Sequence, residues 1–391
     1  MKRQGYFRLT QNASEHLAKR YNTPLLVLSL DQIEKNYRFF QDNLPGVKIF
    51  YAMKSNPDVA ILNRLAALGS CFDVASDGEI RKLAELGVGG DRMIYANPIK
   101  NHWGFDACEE MGVNKFTFDS YSEIAKMAEA CPGGTVLLRV RIDNTNAKVD
   151  LNKKFGAPRS QVIHLLREAK NSGLDVAGLC FHVGSQVTST ETYIHALDIM
   201  KELYEEAKAD GFNLRIMDIG GGFPIYEPGM VAFNSCIMFA AINEILKRDF
   251  ADIEIWAEPG RFICGTAVNL LTRVIGINER DGQVWYFLDD GLYGTFSGVI
   301  FDQWNYRLLS FREGEQIEAT FAGPSCDSLD ILFKGKMTVP LEMNEVLLVP
   351  DCGAYTSASS TVFNGFERTR RLVWEEVSKS LPPDAREPFK G

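Results

Sequence analysis

Long apolar runs are missing from this chain. No window reaches the ~18 uncharged apolar residues that a membrane-spanning helix needs, so a helical membrane protein is excluded. The opening stretch, MKRQGYFRLTQNASEHLAKRY, has no apolar segment of the kind a secretory signal carries. Cysteine occurs eight times, but no two cysteines form a C-x-x-C pair. The spacing of a zinc site or of a small disulfide scaffold is therefore absent. The cysteines read instead as mostly buried thiols, and the expected compartment is the reduced cytosol. Positive charge is in short supply: 42 Lys and Arg stand against 51 Asp and Glu, a formal net charge of −9. That balance argues against nucleic acid and anionic membranes as the main partners. Low-complexity segments and repeats beyond a βα alternation are also missing.

What remains is an ordinary globular balance over 391 residues, 46% of them hydrophobic, which is too long for one small core. Short β-rich runs alternate with longer amphipathic ones. Strands are predicted at VKIFYAMK, CFDVAS, RMIYANP, KFTFDS, VLLRVRI, GLCFHVGS, RIMDIGGG and IEIWAEPGR. Between them lie helical patterns such as DGEIRKLAELGV, YSEIAKMAEA, RSQVIHLLREAKNSG and ETYIHALDIMKELYEEAKADG. Alternation of this kind implies parallel βαβ units. Eight units between about residues 46 and 261 fit a closed (β/α)8 barrel, whose usual length is ~250 residues. A doubly wound open sheet is the alternative, and the count of eight disfavours it. After Arg261 the text becomes strand-like and turn-separated, as in AVNLLTRVIGINE, QVWYFLDDGLYG, QIEATFAG and NEVLLVPDCGAY. The expected fold class is thus α/β, a TIM-like barrel over residues 31–261, with a mostly-β domain from 262–391. Residues 1–30, including the LLVLSL strand, are assigned to that second domain. SLPPDAREPFKG at the C-terminus reads as a loose tail.

Barrels of this kind carry their functional groups at the C-terminal ends of the strands. Those ends hold Lys54, Asp73 with Ser76, Asn97, Arg139, His182 with Ser185, Gly220-Gly221-Gly222, and Glu258 with Arg261. Each admits two readings. Lys54 is either a lysine leaving the sheet for solvent or a desolvated amine able to form a Schiff base. DIGGGFP is a tight turn, or a loop whose backbone N–H groups cradle a phosphate, with Arg261 as a forked cation for the same group. Glu258 either pairs with Arg261 or faces the ring nitrogen of a pyridoxal cofactor, which needs an acid there. His182 is a core residue or a flat stacking partner for that ring. In GPSCDSLD, Cys326 and Asp327 are a buried thiol and a turn aspartate, or a thiol acid and a carboxylate for a cationic substrate.

The ordered set YAMKSNP, FDVASDGEI, IYANPIK, FHVGSQ, DIGGGFP, AEPGRFICG, DDGLYGTFSG, GPSCDSLD and GAYTSASSTVFNGF resembles the fold type III, alanine-racemase-like pyridoxal-phosphate decarboxylases over nearly the whole chain. The similarity is to the ornithine, lysine and arginine decarboxylase branch, and within it to the bacterial lysine/ornithine enzymes. The resemblance implies pyridoxal 5'-phosphate as cofactor and no metal. It implies that Lys54 carries the cofactor, Glu258 meets the ring nitrogen and His182 stacks on the ring. Ser185, Gly220, Gly221, Gly222, Arg261 and Tyr355 would bind the phosphate, and Asp73, Glu79 and Arg139 would form the surrounding polar shell. It also implies a homodimer with shared sites. Cys326, the acid returning a proton to Cα, and Asp327 would come from the second copy. Asp302 and Phe363 would come from the copy holding the cofactor, and Lys154 and Asp330 would pair across the interface.

The implied activity is decarboxylation of a dibasic amino acid, ornithine to putrescine and lysine to cadaverine, in polyamine biosynthesis. Two carboxylates, Asp302 and Asp327, would select the distal ammonium. Asp327 stands where the diaminopimelate branch typically has Glu, and Asp302 rather than Glu points to ornithine or lysine over arginine. Those two differ by one methylene, worth only ~1–3 kcal/mol. Alternatives of the same fold are diaminopimelate and carboxynorspermidine decarboxylases. A binding-only protein like the antizyme inhibitors is disfavoured by the presence of Lys54, Glu258, Arg261 and Cys326. A cofactor carrier of the single-barrel type is disfavoured by the long β domain. Two departures from the family pattern, Gln186 and Ser328 where Gly is usual, bear on the shape of the pocket.

Overall fold

The structure is a computed structural model that describes residues 5–142, 154–225 and 234–389. It divides into two compact units, one over 36–262 and the other over 5–35 with 263–389. Strand β1 (Leu25–Leu28) lies in the second unit. In the first, β2 (Lys48–Ala52), β3 (Cys71–Val74), β4 (Met93–Tyr95), β5 (Lys115–Phe118), β6 (Thr135–Arg139), β7 (Asp175–Cys180), β8 (Ile216–Asp218) and β9 (Glu254–Ala257) close into a parallel barrel in chain order. The closing step pairs Ile49 of β2 with Ala257 of β9. An open doubly wound sheet is ruled out by that last ladder.

The helices that follow the strands form because their apolar residues recur on one face. In Val162–Asn171 the buried residues are Val162, Leu165, Leu166 and Ala169, a spacing of three and four that makes one continuous stripe against the barrel. Start signals are local too: Asp58, Ser76 and Asn101 each accept a backbone N–H of the next turn from a side-chain oxygen. Inside, Phe50, Cys71, Ile94, Leu137, Ala177, Cys180, Ile216 and Trp256 fill the barrel, and the Phe50 and Trp256 rings sit 4.6 Å apart. Gly178 permits the tightest approach, since a Cβ there would lie 1.7 Å from the Ile216 carbonyl oxygen. With the interior packed, only the loops at the strand ends are left to build a site.

The second unit contains β10 (Val268–Arg280), β11 (Gln283–Leu288), β12 (Ile317–Ala322), β13 (Ile331–Thr338), β14 (Val346–Val349) and β15 (Arg370–Val373). Its sheet runs β13-β12-β11-β10-β1-β15, with β14 also pairing β10. β1 is antiparallel to β10, Leu25 opposite Leu271, and parallel to β15. Two of these strands carry little sequence signal. β13 is an edge strand interrupted by Lys334, Gly335 and Lys336, and β15 is four residues long and opens on two arginines. Both take their conformation from the neighbouring strand.

The C-terminal segment corrects the expectation of a loose tail. Leu381 and Ala385 are buried in one apolar cluster with Phe7, Leu9, Leu17, Leu25 and Trp374. The Phe389 amide donates to the Arg8 carbonyl at 2.8 Å. The two prolines set a short 3-10 turn, Pro383–Ala385, that turns Ala385 inward. Among the described residues no helix is long and apolar enough to cross a membrane. Six of the eight cysteines are buried, Cys131 is half-buried and Cys326 is exposed.

Candidate active site

The barrel mouth is built from consecutive strand ends. β2 stops at Ala52, and Lys54 sits in the 3-10 turn Met53–Ser55 that follows. Its Nζ lies 2.6 Å from Oδ2 of Asp73, which is 1% exposed, while the Lys54 side chain is 44% exposed. The amine is thus presented to the open mouth and held by a buried carboxylate, and it is not desolvated as the Schiff-base reading assumed. Glu79 is aimed at the same place by its helix start. Ser76 caps the Glu79 amide, and Oε2 of Glu79 accepts the Ala75 amide at 2.7 Å. Burial, with Asp73 nearby, pushes Glu79 up to about 7 against the opposing pull of the Ala75 amide. Asn97 at the end of β4 is fixed from below by Lys100, a fully buried lysine. Its Nζ donates to the carbonyls of Asn97, Pro98 and Thr117 at 3.0, 3.2 and 2.7 Å, with Glu123 at 3.5 Å.

Arg139 at the end of β6 lies 5.3 Å over the Phe155 ring, and its buried Nε has no acceptor among the described residues. His182, after β7, accepts the Gly184 amide on Nδ1 at 3.0 Å, so its proton is on Nε2. Burial holds its pKa well below the usual range, helped by the Arg139 and Lys54 cations, and the ring is neutral.

The glycine loop after β8 has its carbonyls taken. Gly220 O accepts from the Glu258 amide at 2.7 Å and Gly222 O from the Val187 amide at 3.0 Å, while Gly221 O accepts from the Tyr193 hydroxyl at 3.0 Å. The N–H groups of Gly221 and Gly222 have no acceptor among the described residues. A loop with its carbonyls tied back and its amides outward is an anion cradle. Gly222 sits at φ 98, and a Cβ there would lie 2.3 Å from the Gly184 carbonyl oxygen. Gly222→Ala should therefore destabilise the protein by about 2 kcal/mol or more, read by thermal unfolding, and should weaken phosphate-ester binding in a direct titration.

Gln186 pins the same loop from the side. Its Nε2 donates to Ile225 O at 2.6 Å and its Oε1 accepts the Ile225 amide at 3.1 Å. Its φ of 53 lies in the left-handed region that glycine adopts most easily. Ser185 is half-buried on the same turn, and Arg261 is buried at the start of the short helix Arg261–Cys264.

Glu258 follows β9. Burial, then Asp218, then Asp73 raise it well above the usual carboxyl range. Asp218 is a residue that sequence reasoning quoted in DIGGGFP but gave no role, because an Asp before glycines reads as a turn former.

The remaining predicted residues lie in the second unit. Cys326 is exposed, and its amide donates to Asn364 Oδ1 at 3.1 Å. Asp327 accepts the Leu329 amide at 3.0 Å and the Tyr293 hydroxyl, and the two, in that order, hold its pKa below the usual range. Tyr293 stacks on Phe363 at 4.1 Å. It too went unassigned in the sequence, although it lies in DDGLYGTFSG. Asp302 is buried at the end of the turn Gly298–Phe301, and Tyr355 sits at φ 54. Ser328 is exposed. Asp330 is buried, accepting the Leu292 and Ser325 amides at 2.8 and 3.1 Å. Lys154, in the first unit, lies 4.8 Å over Phe155.

A closed barrel whose mouth gathers an amine, a phosphate cradle, a flat neutral ring and a half-buried acid of raised pKa defines a class, the fold type III pyridoxal-phosphate enzymes. Residues 30–265 match the family model of the pyridoxal-dependent decarboxylases, pyridoxal binding domain, and the chain belongs to that family. It is 48% identical over 370 residues to a lysine/ornithine decarboxylase of Selenomonas ruminantium, covering 95% of this chain and 94% of that one. It superposes on a Selenomonas ruminantium lysine decarboxylase in complex with PLP and cadaverine with a TM-score of 0.92 at 46% identity, over 96% and 97% of the two chains. Antizyme inhibitor 2 of Xenopus laevis is also similar, 34% identical over 372 residues, 89% of this chain and 81% of that one.

Proposed function

We infer that the chain is a pyridoxal-phosphate-dependent decarboxylase of dibasic amino acids, releasing CO2 from ornithine and lysine to give the corresponding diamines for polyamine synthesis. The observation that carries this reading is the pair of outward amides on Gly221 and Gly222 at the same barrel mouth as Lys54 and Glu258. Pyridoxal phosphate, when bound, would supply the electron sink for loss of the carboxylate.

The chain's own residues do the rest. Gly220, Gly221, Gly222, Ser185, Arg261 and Tyr355 hold the phosphate. His182, neutral and flat, would support one face of the ring without placing a charge against it. Glu258 would meet the ring nitrogen. Lys54 would hold the cofactor through its amine, with Asp73 as counter-ion and Glu79 and Arg139 completing the polar shell. Asp327 and Asp302 receive the distal ammonium, and Phe363 lies along the substrate chain. The Cys326 thiol gives its proton to Cα.

Cys326 and Asp327 act in the site of a second copy, in a homodimer that also pairs Lys154 with Asp330. Supporting this, the loops around them leave Phe301, Leu329, Val362, Phe363 and Phe366 exposed, apolar surface that a monomer would leave wet. Eight free thiols suit a reducing cytoplasm.

The deciding experiment is CO2 release from ornithine, lysine, arginine and meso-diaminopimelate with added cofactor. Activity on diaminopimelate alone would overturn the substrate assignment, and no release from any of them would favour a binding-only protein. Asp327→Ala is expected to raise the KM for ornithine about 10- to 100-fold with a smaller change in kcat, since it removes a carboxylate that binds the far end of the substrate and does not touch the reacting bond.

A further inference from the structure

Strands β8 and β9 end side by side. Asp218 is paired with Trp256, the Ile219 amide donates to the Trp256 carbonyl at 2.9 Å, and the Glu258 amide donates to the Gly220 carbonyl at 2.7 Å. That ladder brings two carboxyl groups together, Asp218 and Glu258. Asp218 is 1% exposed. Its Oδ1 accepts the Gly220 amide at 2.7 Å. Its Oδ2 is buried and has no N–H or O–H donor among the described residues when both acids are ionised. Glu258, two residues beyond Trp256, is the carboxyl that this ladder sets beside Asp218, and the two side chains act on each other.

Two ionised carboxylates in this position repel each other, and a buried acceptor without a donor costs about 1–3 kcal/mol. A single proton between the two acids removes both penalties. Among the described residues, the other groups that act on the pair do not offset both charges. Lys54 is committed to Asp73 at 2.6 Å, and Asp73 adds a third negative charge. His182 is neutral, and burial raises the Cys180 thiol and the Tyr204 phenol, which keeps both protonated. Arg139 acts on Glu258 more weakly than either aspartate. Burial raises Asp218 as well as Glu258.

We propose that Asp218 and Glu258 hold one proton between them before the cofactor binds, and that the pair hands it to the ring nitrogen on binding. This rests on the proposed function. The step balances without another reactant: the carboxyl O–H bond breaks, a pyridinium N–H bond forms, and total charge is unchanged. Afterwards two negative charges face one positive ring, so Asp218 is a positioning residue that acts through Glu258 to keep the ring protonated.

The test uses the full chain and pyridoxine 5'-phosphate, which has the ring and the phosphate but no aldehyde for Lys54. Calorimetry in buffers of different ionisation enthalpy counts the protons taken up on binding between pH 7.5 and 9.5. Asp218→Asn keeps the Gly220 bond and removes the charge that helps Glu258 hold the shared proton, so Glu258 releases it more readily and, toward pH 9.5, the variant should take up more proton on binding than the wild type, up to about one. Its relative affinity should fall by up to about tenfold per pH unit. In the infrared, wild-type protein at neutral pH should show a protonated carboxyl band that disappears on binding and is missing in Glu258→Gln. Equal proton uptake in wild type and variant, or no carboxyl band lost on binding, overturns the proposal. The infrared measurement on wild type decides alone if Asp218→Asn does not fold. Failure of pyridoxine phosphate to bind at any pH would overturn the proposed function itself.

Discussion

Lys54→Ala should lower kcat for CO2 release by at least about 10³-fold and leave a protein without the absorbance band of a lysine-bound pyridoxal. In the proposed function Lys54 carries the cofactor, and among the described residues the other strand-end lysine is not placed to replace it. Lys100, another lysine on a strand-end loop of the barrel, is fully buried and spends its donors on three carbonyls. The fold should survive, because the Lys54 side chain is 44% exposed and its removal opens no cavity. Asp73 loses its counter-ion, so a modest drop in thermal stability is expected beside the loss of activity. Phosphate-ester binding should persist, since the cradle is built from β7, β8 and the loops after them. A variant that keeps more than a few per cent of activity would remove Lys54 from the chemistry.

Cys326→Ala is expected to cost about 10²- to 10⁴-fold in kcat, the range of a single positioned proton donor, with cofactor binding intact. The thiol is exposed, and only its backbone is tied, through Asn364. Folding should therefore be indifferent to the change. The same variant tests the shared site. Mixing Lys54→Ala chains with Cys326→Ala chains should restore up to about a quarter of wild-type activity, because half of randomly assorted dimers are mixed and each has one complete site. No recovery on mixing would place both residues in one copy's site.

Much of the barrel was legible because its signals are local. β-rich runs of four to six residues, helices with one apolar face, and polar side chains at the strand ends all follow from chain geometry. The glycine cradle was legible as well, though its amides could be called free only once Tyr193, Val187 and Glu258 were seen to take the carbonyls. What could not be read depends on distant partners. β13 and β15 are strands because a neighbouring strand makes them so. The segment after Leu381 is ordered because Phe7 and Trp374 lie where Ala385 needs them. Lys54 reads as a buried amine at a strand end, but it sits one turn further on, in the open. Asp218 and Tyr293 stood in quoted motifs without a role, since an orphaned oxygen or a hydroxyl aimed at Asp327 exists only in three dimensions. Ornithine and lysine stay together as substrates because one methylene leaves no mark on either carboxylate.

The ladder of β1 with β10 and β15 has a consequence for synthesis. β1 leaves the ribosome early, but β10 begins about 240 residues later, which at ~5–20 residues per second is ~12–50 s. During that interval the whole barrel, residues 36–262, can emerge and close, while Leu25-Leu26-Val27-Leu28 has no strand to pair with. The nascent chain therefore carries this apolar segment unpaired throughout the synthesis of the barrel. That segment is where a holding chaperone would be expected to act, and where crowding of nascent chains would first lead to aggregation.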